Sequence, residues 1–387
     1  MEITRSDATA ERLTSAVDTQ RSTAARALGV TLPGAAATIP NGPVVVTGIG
    51  GSEGAAGLLA LAASRRGLSA RFEPLSAFVQ PSPPEGDTLV VMSQSLCPNV
   101  WLALEARARF ARTVLVTCLD PTIDDPAGRT VQRLAAGGVV LVTTGAEREH
   151  DLLVRIGGPV AAAVLSLRLA EAWDRSGTPL LPSVEGGTAA IDRAVDAARR
   201  AIRGSSAQWS EGDLCIVTFG ESPTLAQGLG WTLLEGCLGH VPGVWDVLSM
   251  AHGPFQSLYE RTATFFALCR PEDPREADLL RRLRAMLHPE RHAVVVLAGT
   301  LSREACAIEH QAAVNAVLTE AIVARPRIDL LDWPGKGRDL PLYGLGGPAA
   351  GVPTSSEDNT ESTGRANFGG YRAPVGSGGE TGSEPIG

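Results

Sequence analysis

The chain has 387 residues, of which 44% are hydrophobic and 20% are charged, and its net charge at pH 7 is −8. This length predicts about two or three domains that each bury a core of their own. The acidic balance and the lack of a basic cluster argue against a nucleic-acid surface, and no apolar run reaches the roughly 18 residues of a membrane helix.

The first residues of the chain and its cysteines are typical of a cytoplasmic protein. The first residues are charged and lack the apolar segment of a signal peptide. The six cysteines follow no disulfide or zinc-binding spacing. We therefore expect a cytoplasmic protein without a metal site or a cofactor, and without contacts to membranes or nucleic acid.

Short apolar segments alternate with helical patterns through the first half of the chain. Strands are predicted at residues 43–48, 87–92, 112–118 and 138–143. Helices are predicted from the glycine-rich turn after the first strand to Ser64, at 98–109 and at 158–174. Continuous apolar strands joined by helices are typical of a parallel sheet covered on both faces.

The same pattern returns in the second half. Strands are predicted at residues 213–218, 261–269, 292–296 and 327–331, and a long helix at 303–324. Residues 49–52 correspond to residues 219–222, so that Ser52 pairs with Ser222. This self-similarity predicts a duplicated strand–turn–helix unit.

Two segments of different composition divide the chain. Residues 176–187 (SGTPLLPSVEGG) have the composition of a linker, and after Leu345 the chain is rich in Gly, Ser, Thr and Pro without aliphatic periodicity. Such a tail buries too little apolar surface to offset its ordering entropy. We predict a first domain at 1–180 with an N-terminal helix, a second at 186–345, and a disordered tail at 346–387.

Serines follow two strands of the first half. Ser52 comes after the first strand, and Ser93-Gln94-Ser95 comes after the second. Hydroxyls and free backbone N–H groups at such strand-to-helix turns bind phosphate without the help of a lysine. Serine is also a favoured helix N-cap, and that structural interpretation stays open for these positions.

One carboxylate and one imidazole stand out in the second half. Glu235 lies on a predicted helix, and His252 lies in an HGP turn seventeen positions later. Aldose–ketose chemistry needs one group that moves a proton between neighbouring carbons and another that opens the sugar ring. The residues alone leave open that Glu235 is a solvated helix residue and that His252 is a hydrogen-bonded turn residue.

Taken in order, four motifs make residues 15–340 similar to sugar isomerase (SIS) domains, in the duplicated arrangement of glucosamine-6-phosphate synthase and the fructosamine-6-phosphate deglycases. They are Gly50-Gly51-Ser52, Ser93-Gln94-Ser95, Pro223 with Gly228, and His252-Gly253-Pro254. Weaker similarities are Asp18-Thr19-Gln20 and Gly145-Ala146-Glu147.

The resemblance implies an α/β fold of two flavodoxin-like αβα subdomains with parallel sheets, a homodimer, and a sugar-phosphate ligand. It implies that Glu235 transfers the C1/C2 proton and that His252 opens the ring, reaching in from a neighbouring subunit. The substrate contacts that it implies are Gly51, Ser52, Ser93, Gln94, Ser95, Glu147 and Lys336.

The sequence departs from the family pattern at several of these positions. The SQS motif continues with Leu96-Cys97-Pro98 instead of glycine, an acid and threonine, and Glu235 fits the catalytic position only after a one-residue insertion. The family's C-terminal lysine has only Lys336 and Arg338 as candidates. No glutaminase domain is expected, so a separate amidotransferase or amidohydrolase partner would supply any ammonia.

Three functions remain open on this evidence. The acid/histidine pair favours an isomerase or deglycase of phosphorylated sugars, whereas the changed SQS loop and the unmatched lysine favour a non-catalytic sugar-phosphate sensor or regulator. A dinucleotide-binding turn built on Gly48, Gly50 and Gly54 is weaker, because the last glycine falls one position late and no acidic residue is expected at the end of a second strand. The nearest acidic residue is Glu73.

Overall fold

Two parallel sheets carry the fold, in agreement with the alternation of apolar strands and helices. The computed structural model describes residues 5–144, 152–204, 212–220, 223–237 and 241–324, together with Leu330, Lys336, Arg338 and Leu342. All of these residues belong to one compact unit, Met1–Val352. The predicted tail at 346–387 lies outside the described residues, as does the predicted strand at 327–331 apart from Leu330, which forms a bend.

The first sheet has five strands in the order β2-β1-β3-β4-β5. Its strands are β1 (Val44–Gly48), β2 (Ala70–Phe72), β3 (Gly86–Met92), β4 (Phe110–Thr117) and β5 (Val140–Thr143). Every neighbouring pair is parallel, so the carboxyl ends of all five strands lie at one edge. The turns that follow β1 and β3 therefore meet there.

The second sheet has four strands in the order β7-β6-β8-β9 and is also parallel throughout. Its strands are β6 (Asp213–Thr218), β7 (Gly243–Asp246), β8 (Ala263–Cys269) and β9 (His292–Ala298). The order of the strands is the same as in the first sheet, with one strand fewer. The two predicted flavodoxin-like sheets are confirmed.

Helices follow nearly every strand. They are α1 (Arg5–Gly29), α2 (Gly34–Ala37), α3 (Gly51–Arg65), α4 (Trp101–Glu105), α5 (Pro126–Ala136), α6 (Gly157–Ala172), α7 (Val184–Gly204), α8 (Pro223–Cys237), α9 (Val247–Met250), α10 (Pro254–Leu258), α11 (Pro274–Met286) and α12 (Cys306–Ala324). Among the described residues, no helix has both the length and the apolar character that spanning a membrane requires.

Alternate strand residues face two different cores. Val44 and Val46 of β1 point into a large core that also includes residues of β6 and β8 and of helices α1, α3, α6, α7, α8 and α12. Val45 faces the opposite side, where it packs with α4 and α5. A strand has a side-chain period of two, so a continuous valine run serves both faces of a sheet that is covered on each side.

Three segments differ from the sequence-based expectation. The predicted helix at 98–109 is broken into the short helix α4 flanked by two 3₁₀ turns, Pro98–Val100 and Ala106–Arg109. Strands β2 and β7 were not predicted, because they are three and four residues long and half-exposed, so that neither forms an apolar run.

Helices α3 and α8 cross at two glycines. A Cβ atom at Gly228 would lie 2.6 Å from the Cα atom of Gly54, which leaves no room for any side chain at the crossing. The two helix backbones touch because both positions are glycine. Gly54 thus serves the packing of α3 against α8. The expectation that no acidic residue stands at the end of a second strand was wrong, because Glu73 directly follows β2.

Candidate functional site

The turn between β1 and α3 opens the site at the carboxyl edge of the first sheet. Gly50 has a φ of +58°, a left-handed conformation that favours glycine, and it occupies the N-cap position of α3. No side chain caps this helix end. Ser52 therefore does not act as the N-cap. The Ser52 and Glu53 N–H groups donate to the Ile49 and Gly50 carbonyls at 3.2 and 2.9 Å, and the positive end of the helix dipole lies at the sheet edge, where it favours an anion.

Ser52 lines a small cavity at this edge. Its walls come from the first turn of α3, from the ends of β3, β4 and β5 and from α6, and the residues are Ser52, Met92, Ser93, Gln94, Val116, Thr117, Cys118, Thr144 and Ala162. Both serines are buried, with 6% of Ser52 and 5% of Ser93 exposed. The space holds about one water-sized molecule, so it suits a single ligand oxygen.

The backbone holds the Ser93-Gln94-Ser95 loop against the neighbouring strand. The Ser93 N–H donates to the Val116 carbonyl at 3.0 Å, and the Gln94 carbonyl accepts from the Cys118 N–H and the Thr117 hydroxyl, each at 3.1 Å. The Gln94 side chain lies against Gly158 at the start of α6 and close to Gly51. The loop thus joins the predicted residues Gly51, Ser52, Ser93 and Gln94 into one cluster.

Leu96 marks the point where the loop departs from the resembled family. It has a φ of +55° and is the only described residue other than glycine with a positive φ. The family's glycine would adopt this conformation freely, whereas a residue with a Cβ atom meets a cost of roughly 1–2 kcal/mol. The leucine side chain is half-buried against the core that the first sheet forms with α4 and α5, and this burial offsets part of that cost.

Helix α8 brings Glu235 from the second half of the chain to the first-half turn. A Cβ atom at Gly50 would lie 4.0 Å from the Glu235 Oε1 atom. Because Gly228 touches Gly54, the carboxyl end of α8 runs toward the amino end of α3. Burial raises the pKa of Glu235 from 4.5 to about 7, and the charge of Arg155 opposes this rise. Glu235 is therefore half-buried at the start of α3.

Arg155 belongs to the same cluster, and sequence reasoning missed it. It lies two residues before α6, and its Nη1 atom is buried with no hydrogen-bond partner in the described part of the chain. Its charge lowers the pKa of Glu235. No motif marked this arginine, because its nearness to Glu235 depends on how α6 and α8 pack.

The other predicted site residues lie elsewhere or outside the description. His252 is exposed in the turn after α9, where its N–H donates to the Ser249 carbonyl at 3.0 Å, and the structure shows no contact between it and Glu235 within the described ranges. Ser95 is half-buried but does not line the cavity, and Lys336 is exposed. Glu147 lies outside the described residues.

The turn around His252 follows the chemistry of its sequence. Gly253 has a φ of +124° and precedes Pro254, the first residue of α10. Glycine supplies the positive φ, and proline suits the first position of a helix. No group of His, Cys, Asp or Glu residues within the described segments could hold a metal ion.

Comparison with known proteins identifies the fold. No family model matches the sequence, and no curated protein matches it. Among solved structures, the C-terminal domain of glucosamine-fructose-6-phosphate aminotransferase from Francisella tularensis has a TM-score of 0.62 at 12% identity, over 80% of this chain and 95% of that one. The chain has the sugar isomerase (SIS) fold.

Two further structures share the SIS fold with this chain. Glucosamine-6-phosphate deaminase from Thermotoga maritima has a TM-score of 0.64 at 14% identity, over 82% of this chain and 96% of that one. Tagatose-6-phosphate ketose/aldose isomerase from Escherichia coli has a TM-score of 0.55 at 15% identity, over 73% of this chain and 83% of that one. At identities this low, the structural similarity establishes the fold, and the reaction has to be inferred from the residues of the site.

Proposed function

We propose that the chain binds a phosphorylated sugar or amino sugar and acts on it as an isomerase or deglycase. The phosphate would lie against the uncapped first turn of α3 and the hydroxyls of Ser52, Ser93 and Ser95, with Gly51 and Gln94 shaping the turn. Glu235 would move the proton between C1 and C2. The sugar phosphates named for the SIS-fold structures support this ligand class.

One observation carries the proposal. A half-buried carboxylate, Glu235, from the second half of the chain reaches the glycine turn beside the serine cavity of the first half. With a pKa of about 7, both forms of Glu235 are populated near neutral pH. A group that accepts and returns a proton works best when its pKa lies near the working pH.

Proton exchange in deuterated water tests the proposal. The purified protein is incubated with fructose 6-phosphate, tagatose 6-phosphate and glucosamine 6-phosphate, and loss of the C1 or C2 proton signal is followed by NMR. Glu235→Gln keeps the side-chain shape but cannot accept a proton, so exchange should fall by about 10²–10⁴. The control, Glu171→Gln, removes a half-buried carboxylate of α6 that binds the Leu181 N–H and should leave exchange unchanged.

A sensor without catalysis is the second candidate function. The strained loop at Leu96 and the exposed position of His252, out of contact with Glu235, favour it. A protein that binds these sugar phosphates but exchanges no proton at C1 or C2 would be a sensor, with Glu235 serving as a ligand for sugar hydroxyls. Binding measured by thermal shift together with the exchange assay separates the two functions.

The assembly and the domain limits are part of the same proposal. A homodimer would let the exposed His252 open the sugar ring in the site of a neighbouring subunit. Glu147 and Lys336 stay proposed ligand contacts, and a separate amidotransferase or amidohydrolase is the proposed source of ammonia for any amination. We keep the domain limits 1–180 and 186–345 and a cytoplasmic location as proposals.

A further inference from the structure

Arg155 lies at the junction of the two halves of the site. It comes two residues before α6, whose Gly158 contacts the Gln94 side chain and whose Pro159 lies beside Gly51. Its backbone is therefore close to the residues proposed to hold the phosphate. Its charge acts on Glu235, which comes from the other half of the chain.

A buried amide network fixes the backbone next to Arg155. The Asn315 Nδ2 group donates to the Ile156 carbonyl at 3.0 Å and to the Gln20 Oε1 atom at 3.1 Å. Gln311 donates in turn to the Asn315 Oδ1 atom at 3.0 Å. Asn315 is fully buried and Gln20 nearly so. Three helices, α1, α6 and α12, thus hold this segment in place before any ligand binds.

The Arg155 guanidinium acts on the Glu235 carboxylate through its charge. The two side chains do not form a direct salt bridge within the described chain. The Nη1 atom of Arg155 is buried and makes no hydrogen bond to the described residues. A buried donor without a partner costs free energy, and a ligand oxygen next to the Arg155 Nη1 atom would satisfy it.

We infer that Arg155 binds the reacting oxygen of the sugar and stabilises the negative charge that forms there. This inference rests on the proposed function. When Glu235 takes the proton from C2, the C–H bonding electrons form the C1=C2 double bond and the C1=O π electrons move onto O1. Arg155 would donate hydrogen bonds to that oxygen until Glu235 returns the proton to C1. In that step the O2 hydroxyl proton moves to O1 and the C2=O double bond forms. The sequence offers no clear lysine for this task, and the arginine supplies the missing cation.

A pair of phosphorylated ligands tests the role of Arg155 by binding alone. In 5-phospho-D-arabinonate a carboxylate stands in for the anionic intermediate, whereas D-arabinitol 5-phosphate carries a neutral hydroxyl at the same position. Both share the configuration of C3–C5 of fructose 6-phosphate. The wild type should bind the arabinonate more tightly, and Arg155→Met should reduce that preference by about 10- to 100-fold.

Two further variants separate charge from structure. Arg155→Lys keeps the charge but loses the planar fork, so it should retain part of the preference. Arg168→Met removes an arginine of α6 that donates to the Leu28 carbonyl, and the preference should stay unchanged. If Arg155→Met does not fold, as judged by thermal melting, Arg155→Lys carries the test, and a preference equal to that of the wild type would overturn the inference.

The outcomes distinguish this inference from the proposed function. If the wild type prefers the arabinonate and Arg155→Met keeps that preference, Arg155 does not bind the reacting oxygen, while the proposed function stands. If the wild type shows no preference, the inference is also overturned. In that case, proton exchange in deuterated water decides whether the proposed function is also wrong.

Discussion

Replacing Glu235 by glutamine should change how the stability of the protein depends on pH. In the folded state, burial raises the pKa of this carboxyl from 4.5 to about 7, against the opposing charge of Arg155. Between these two values the folded chain keeps a proton that the unfolded chain has lost. The free energy of unfolding of the wild type therefore falls as pH rises through this window, and it levels off above pH 7.

The size of the effect follows from the width of that window. An interval of about 2.5 pH units at about 1.36 kcal/mol each corresponds to roughly 3 kcal/mol, of which about 2.5 kcal/mol falls between pH 5 and pH 8. Glutamine has the same shape and does not ionise. The Glu235→Gln variant should gain about 2.5 kcal/mol relative to the wild type when the pH is raised from 5 to 8.

Urea unfolding of both proteins at several pH values measures this difference. The comparison with the wild type cancels the titration of all other groups. Arg155→Met should shift the wild-type transition to higher pH, because the positive charge that lowers the pKa of Glu235 is lost. Parallel stability curves for the wild type and Glu235→Gln would refute the reasoning, since they would mean that this carboxyl has the same pKa in the folded and unfolded chains.

Three further predictions concern the packing and the loop. Gly228→Ala should lower the free energy of unfolding by about 1–3 kcal/mol in thermal unfolding, because its Cβ atom would meet the α3 backbone. The control is Gly29→Ala, whose Cβ atom would have nothing within 4 Å, and its stability should stay within about 0.5 kcal/mol of the wild type. Leu96→Gly should be more stable than Leu96→Ala by about 0.5–1 kcal/mol, because only glycine adopts a φ of +55° freely. In most positions alanine is the more stable of the two, so equal stabilities would show that the loop relaxes. Ser93→Ala combined with Ser95→Ala should weaken sugar-phosphate binding in calorimetry at least tenfold, because two hydroxyl contacts to an anion are lost; unchanged affinity would place the phosphate elsewhere.

Most strands could be predicted because they are short apolar runs bounded by turns. The predicted segment 213–218 coincides with β6, and 87–92 differs from β3 by one residue. The helix predicted at 98–109 was wrong in its continuity, since the chain changes to 3₁₀ geometry on both sides of α4. Periodicity reports which residues are buried, and it does not report where a helix tightens or breaks.

By itself, the sequence determined the parallel sheets, the turns that carry the serines and the HGP turn, because each depends on local chemistry: apolar runs, glycine at positive φ and proline at a helix start. The tertiary structure alone decided that Glu235 reaches the Gly50 turn and that the charge of Arg155 acts on it. Both depend on the crossing of α3 and α8 and on the amide network that holds the segment before α6. Such contacts join residues far apart in the chain, and no local pattern encodes them.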